Sequence, residues 1–195
     1  RAWLSLPQKK TMKAKLCGND MDRMPGWSFR IMAWMFGIAD LFSSPHRKLD
    51  PFGLKEGMTV VDYGCGTGRF LPQASRLVGP AGRVYAVDVH ELAIEAAHRV
   101  IARHGLTNVV PVQAERAGAP VPDHVADVIY ALDMFHMVSD PAAFLRYLAR
   151  IAKPGGKLFL EDGHQPREAT RKKVLASGVW RIEEERPGFV VCRPA

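Results

Sequence analysis

The chain has 195 residues, 47% of them hydrophobic and 24% charged, with a formal net charge of +7. That is the composition of an ordinary globular protein of one domain, or one domain with a short extension. It excludes collagen-like, low-complexity and wholly disordered chains. Cys17, Cys65 and Cys192 are odd in number, far apart and without a C-x-x-C pair. They do not read as a disulfide scaffold, and such thiols suit a reducing cytoplasm, the expected location. No segment reaches the roughly 18 apolar residues of a membrane-spanning helix, and nothing near the start reads as a secretory signal. The basic charge suits nucleic acid, an anionic membrane surface, acidic substrates or simply solvated faces. Its clusters are Lys9, Lys10, Lys13 and Lys15 near the start and Arg171, Lys172 and Lys173 near the end. The chain begins with Arg1, and no functional reading is placed on residues 1–15.

Residues 27–42 (WSFRIMAWMFGIADLF) are rich in Trp, Met and Phe and too continuously apolar for a solvated helix. They read as a lid over an active-site mouth, as a membrane-surface helix with Arg23 and Arg30 beside the aromatics, or as a helix filling a core. Residues 1–50 are therefore set apart as an N-terminal extension, and 51–195 as the main domain.

Beyond residue 57 short apolar runs alternate with helical patterns. Residues 58–63 (MTVVDY) predict a strand, and 69–78 a helix with Pro72 in its first turn. Residues 83–88 (RVYAVD) predict a second strand. Residues 91–104 follow as a helix stopped by Gly105. Pro111 sends the third strand, 108–113, to an edge of the sheet. The fourth, 125–131 (VADVIYA), is apolar enough to be buried on both faces. Asp140 with Pro141 caps a helix whose apolar face is Phe144, Leu145, Leu148, Ile151 and Ala152. Pro154-Gly155-Gly156 reads as its stop, and 157–162 as the fifth strand. A polar helix at 167–177 is closed by Gly178. Strands at 179–185 and 189–192 form a hairpin about Arg186-Pro187-Gly188.

This order predicts an α/β fold: a doubly wound, mostly parallel seven-stranded sheet ending in an antiparallel hairpin. Ligands of such sheets bind beyond the carboxyl ends of the strands, at the topological switch point. The strongest signal lies there, in Asp62-Tyr63-Gly64-Cys65-Gly66-Thr67-Gly68. Glycines admit close backbone approach, and the helix behind them favours an anionic ligand group. Asp88 ends the second strand 20 residues after Gly68, where a carboxylate accepts both hydroxyls of a ribose. The dinucleotide fingerprint needs a glycine where Arg69 stands, which disfavours an NAD-dependent oxidoreductase.

The G-x-G-x-G spacing resembles the first motif of class I S-adenosylmethionine-dependent methyltransferases. So do Tyr85-Ala86-Val87-Asp88, Gln113-Ala114-Glu115-Arg116 with Ala119-Pro120-Val121-Pro122-Asp123, Asp127-Val128-Ile129-Tyr130, and residues 148–160 (LARIAKPGGKLFL). The set spans residues 57–162 in the family's order. Its core is similar to the small-molecule branch that includes the ubiquinone- and menaquinone-biosynthesis methyltransferases. That branch carries a late insertion, whereas only about 25 residues separate Asp162 from Gly188, which counts against a quinone acceptor.

The resemblance implies a Rossmann-like fold and S-adenosylmethionine as cofactor, with S-adenosylhomocysteine as product. It places Gly64, Gly66 and Gly68 around the methionine end, Asp62 behind that loop and Asp88 on the ribose. Val89, Glu115 and Arg116 fall at the adenine, and Leu132 near the methionine part. It favours the lid and core reading of residues 27–42. Methyl transfer is an in-line displacement that needs positioning, and a base only where the acceptor must lose a proton. Asp133, His136, Asp162 and His164 fall at the ends of the fourth and fifth strands, and Asp133, His136 and His164 are the candidate catalytic residues. The four would also suit a divalent ion, although no metal is expected. The expected partner is a small, lipophilic acceptor. A nucleic-acid methyltransferase and a non-catalytic cofactor-binding protein are the alternatives, but Leu132-Asp133-Met134-Phe135 lacks the prolines of base-methylating relatives. Cys65 reads as a loop filler, and peripheral membrane contact stays open.

Overall fold

The computed structural model describes residues 48–115 and 118–195. Most of the N-terminal extension, including residues 27–42 and Cys17, lies outside the described residues, as does Arg116. Seven strands form one sheet: β1 (Thr59–Tyr63), β2 (Arg83–Asp88), β3 (Val109–Gln113), β4 (Ala126–Ala131), β5 (Ala152–Glu161), β6 (Trp180–Arg186) and β7 (Phe189–Pro194). Their order is β3-β2-β1-β4-β5-β7-β6. The first five are parallel, and β7 pairs antiparallel with both β5 and β6. This is the expected doubly wound sheet with its hairpin. Among the described residues four α-helices accompany it: α1 (Leu71–Val78), α2 (Glu91–His104), α3 (Pro141–Ile151) and α4 (Arg167–Ala176).

A parallel sheet must bury both faces, and the strand sequences alternate accordingly. Val60, Val84, Ala86, Val128, Tyr130 and Phe159 face Leu71, Ala74 and Val78 of α1 and Ala97 of α2. Val61, Tyr63, Val87, Ile129 and Leu158 face Leu145, Leu148 and Ile151 of α3 and Val174 of α4. Trp180 is buried in this second cluster, and its indole N–H donates to the Leu145 carbonyl at 2.8 Å. That bond satisfies the ring's only polar atom.

Local signals set most boundaries. Gly105 ends α2 in the left-handed region, φ 61°, with its N–H on the Ile101 carbonyl. Asp140 accepts the Ala143 N–H at 2.9 Å and Pro141 opens α3. Pro111 sits on β3, the sheet edge. The hairpin turn is tighter than expected, with Arg186 paired to Phe189 across Pro187 and Gly188.

Two elements differ from expectation. α1 begins at Leu71 rather than 69, because residues 64–70 are spent on the loop after β1. Pro154-Gly155-Gly156 does not separate α3 from β5. The strand follows the helix at once, and the segment bulges between the pairs Ala126–Ala152 and Val128–Lys157. Pro154 lacks the N–H of a ladder bond, so the chain loops outward there. Gly156 brings it back close to the Ala126 carbonyl, where a Cβ would stand 2.9 Å away.

Residues 48–52 enter the sheet's α1 side. Leu49 and Phe52 are buried. The Phe52 ring stacks on Phe159 at 4.3 Å and lies 5.6 Å from Tyr130 and 5.7 Å from Phe189. Gln73 of α1 accepts the Leu49 N–H at 3.4 Å and donates to Asp50 at 3.0 Å. Lys48 pairs with Glu161 at 2.7 Å, at the end of β5. The start of the described chain is thus tied to the core and to the sheet's carboxyl edge. Phe52→Ala is expected to lower unfolding stability by about 3–5 kcal/mol, read as a lower urea midpoint.

Candidate functional site

The sheet order reverses between β1 and β4, which opens a crevice at their carboxyl ends. The loop after β1 fills its floor. The Gly64 and Cys65 N–H groups both donate to the Val87 carbonyl, at 2.7 and 3.1 Å, and Gly68 N–H donates to the Cys65 carbonyl at 2.8 Å. Gly64, Gly66 and Gly68 all adopt positive φ, 81°, 51° and 74°. At Gly68 a Cβ would stand 3.0 Å from Leu71 Cδ1 and 3.3 Å from Val100 Cγ2, so glycine lets α1 and α2 close on the loop. At Gly66 a Cβ would meet nothing nearer than the Gly64 carbonyl at 3.9 Å. Glycine there leaves bare backbone open to a ligand.

Asp88 joins this loop to β2. Its Oδ2 accepts the Gly66 N–H at 3.0 Å and its Oδ1 the His90 N–H at 2.8 Å. His90 in turn caps α2, with Nδ1 accepting the Leu92 N–H at 3.1 Å. Burial raises the Asp88 pKa, and the two backbone donors oppose the rise. Each carboxylate oxygen retains acceptor capacity for a further donor.

Asp62 lies beneath the loop and is 2% exposed. It pairs in register with Ala86 on one side and Tyr130 on the other. Asp62 Oδ2 and Tyr130 Oη are both buried without a partner at full hydrogen-bond geometry. Burial pushes the Asp62 carboxyl up to about 8; the nearby Tyr130 hydroxyl lowers it in part, and Asp88 raises it further. Cys65 is pushed well above the ordinary thiol range, by burial first and by the two acids next. A neutral, buried thiol is a filler and not a nucleophile. Two acids under an open glycine loop have the chemistry to hold a nucleoside that carries a cationic group.

The residues expected at the adenine (Val89, Glu115) and near the methionine part (Leu132) lie on different elements. Val89 is half-buried and packs against the α3 side of the core, and Leu132 is half-buried on the α1 side. Glu115 is exposed at a turn whose Glu115 and Gly118 backbones exchange hydrogen bonds of 2.8 and 3.0 Å. A Cβ on Gly118 would overlap the Tyr147 ring, so the turn is seated on α3.

Beyond β4 and β5 three of the four expected polar side chains converge. Asp133 Oδ1 lies 4.0 Å from His136 Nδ1 and 3.9 Å from His164 Nε2. The two imidazole rings meet edge to face, centroids 5.0 Å apart. Asp133 takes a left-handed backbone, φ 50°, costly outside glycine. Met134, the next residue, lays its side chain over the glycine loop; a Cβ on Gly64 would stand 2.9 Å from Met134 Cγ. Asp162 does not join the group. Arg167 grips it through Nε, at 3.0 and 2.9 Å, and Nη2, at 2.7 Å, and Asp162 is 9% exposed. It fixes the start of α4 as half of an ion pair instead of facing a ligand.

Tyr130, Met134 and Arg167 escaped the sequence reading. Tyr130 was within its reach, since alternation along β4 puts it on the face of Val128, and adjacency of β1 and β4 then brings it beside Asp62.

The Asp62 shift predicts a pH dependence. Its folded pKa, about 8, stands above the ordinary 3.8, so the folded state binds the proton more tightly. The resulting stability is fully present below about pH 4 and is lost as pH rises through about 8. Each pKa unit is worth about 1.4 kcal/mol, so the loss over that window amounts to several kcal/mol in the ligand-free chain. Asp62→Asn is expected to flatten the fall, read as melting temperature against pH.

The described geometry agrees with known proteins. The family described as "Methyltransferase domain" matches residues 54–185. The ubiquinone/menaquinone biosynthesis C-methyltransferase UbiE of Shewanella oneidensis is 33% identical over 123 residues, 63% of this chain and 49% of that protein. The chain thus spans about half the length of the curated relatives it matches. A crystal structure of a SAM-dependent methyltransferase from Aquifex aeolicus is 33% identical, with TM-score 0.70, covering 78% of this chain and 90% of that one. A Methanococcus maripaludis structure, 18% identical, covers 97% of both chains at TM-score 0.70 and shows the fold alone. S-adenosylmethionine is the cofactor of this family and fold. The chain belongs to the methyltransferase-domain family, with the fold of the class I S-adenosylmethionine-dependent methyltransferases.

Proposed function

We propose that the chain transfers a methyl group from S-adenosylmethionine to a small, lipophilic acceptor held beyond the carboxyl ends of β4 and β5. The observation that carries this reading is the glycine loop bound to the acidic end of β2, open over Gly66 and tied to Asp88 at 3.0 Å. When bound, the cofactor supplies an electrophilic methyl on a sulfonium, which leaves by in-line displacement.

The chain's own residues then position and tune. The backbone of Gly64, Gly66 and Gly68 receives the methionine end, and Leu132 packs near it. Asp62 meets the amino group, whose positive charge brings its carboxyl back toward the ordinary acidic range. Asp88 takes the ribose hydroxyls on its remaining lone pairs. Val89 packs on the adenine, whose edge is met by Glu115. Asp133, His136 and His164 face the acceptor, and where it must lose a proton an imidazole is the side chain suited to taking it.

Two further features support a small, apolar acceptor. The relatives it matches are named for ubiquinone and menaquinone biosynthesis, and residues 27–42 are rich in Trp, Met and Phe. Lys48 is bound to Glu161 at the end of β5.

Calorimetric titration of the chain with S-adenosylmethionine and S-adenosylhomocysteine, with NAD as control, tests the reading. Both sulfur compounds are expected to bind. Asp88→Ala is expected to weaken them by about 10–100-fold, the worth of one or two charge-assisted hydrogen bonds. Preference for NAD, or affinity unchanged in Asp88→Ala, would overturn it.

A further inference from the structure

We propose that Asp133, His136 and His164 together hold a divalent first-row transition-metal ion of the zinc or iron(II) class. The proposal rests on the reading of this edge as the acceptor side, and it names what the three residues do there.

The distances carry the argument. Asp133 Oδ1 stands 4.0 Å from His136 Nδ1 and 3.9 Å from His164 Nε2. Both exceed hydrogen-bond length, so the carboxylate does not bond either ring directly. Two ligands on opposite sides of one ion, each about 2.1 Å from it, stand at most about 4.2 Å apart. One ligand atom from each of the three residues lies within 4.8 Å of the others. A side-chain shift of well under about 1 Å therefore brings all three onto a common centre at such bond lengths. His164 has the freedom to make it, being 81% exposed, while His136 is held at 16%.

The backbone is shaped around the same point. Asp133 pays for a left-handed conformation that turns the chain back toward His136. Gly163, also left-handed, admits His136: a Cβ at 163 would overlap its Nδ1. The nearby ammonium of Lys173 is engaged by Gln165 at 2.8 Å and by the Phe135 carbonyl at 3.4 Å.

Two imidazoles and one carboxylate are a ligand set for zinc, iron(II), cobalt or nickel. Magnesium and calcium prefer oxygen donors. Three protein ligands leave positions open to water or substrate. Met134, next to Asp133, touches the glycine loop, so the three residues lie near the expected methyl donor. A hydroxyl or enol acceptor bound to the ion loses its proton to solvent. Its oxygen then attacks the methyl carbon, and the carbon–sulfur bond breaks with its electron pair passing to sulfur. With an ion in place the histidines promote proton loss by coordination and no longer accept the proton themselves.

Cobalt(II), a visible-absorbing stand-in for zinc, is titrated into the full chain, and S-adenosylhomocysteine into the same preparations. The expected result is one saturable cobalt site per chain with ligand-field absorption, displaced by zinc and not by excess magnesium. Asp133→Asn, His136→Gln and His164→Gln should each weaken cobalt by at least about 10-fold. The His164 substitution is at an exposed position and leaves the core intact. Absence of a saturable site, or cobalt affinity unchanged in all three variants, would overturn the proposal whatever S-adenosylhomocysteine does. Cobalt binding that depends on the three residues without S-adenosylhomocysteine binding would uphold the metal site while removing the cofactor reading.

Discussion

The Val87 carbonyl holds the centre of the molecule together. It takes the N–H groups of both Gly64 and Cys65, and the adjacent Asp88 side chain takes that of Gly66. Three consecutive amides of the loop are thereby fastened to the end of the neighbouring strand. Without that anchoring the loop would have to satisfy its buried amides with water. The close approach of α1 and α2 at Gly68, the lie of Met134 over Gly64 and the position of Asp88 all presuppose it.

The same arrangement sets the electrostatics. Asp62 and Asp88 are both raised by burial, and the charge of Asp88 raises the cost of ionising Asp62 further. The backbone donors to Asp88 compensate in part, whereas for Asp62 the nearby Tyr130 hydroxyl, at less than full hydrogen-bond geometry, offsets part of the rise. The crevice is thus most comfortable with a positive charge inside it. On the far rim the ionic logic is different. Arg167 neutralises Asp162 and also reaches Glu185 and the Arg186 carbonyl, which joins α4 to the hairpin. The acid just after β5 is consumed by architecture, and the side chains that do converge, Asp133, His136 and His164, come from the loops after β4 and β5.

Much of this was legible in the residues because it depends on neighbours in sequence. Gly105, Asp140 with Pro141, Pro111 and Pro187-Gly188 act through backbone angles and local hydrogen bonds, and each is where the pattern put it. The glycine loop and Asp88 were readable for the same reason, being fixed in spacing along one strand–loop–helix–strand unit. What failed depends on partners distant in the chain. Pro154-Gly155-Gly156 forms a bulge and not a helix stop because β5 pairs with β4 on both sides of it, a partner distant in the chain. Asp162 looked like its neighbours in sequence until α4 brought Arg167 against it. Of the four side chains expected to meet, the spacing of strands foretold the meeting, but only rotamers decided its membership.

The hairpin has a consequence for how the protein is made. β7 lies between β5 and β6, although β6 precedes it in the chain. As the polypeptide leaves the ribosome, β6 emerges with no strand beside it. Residues 158–161 of β5 keep one side unpaired until residues 189–192 arrive to bond them. For that interval the nascent chain displays an apolar, sticky strand edge (Leu158, Phe159 and Leu160) to any other chain nearby. The arrival of β7 therefore closes the sheet, and until it emerges this edge is open to pairing with another chain.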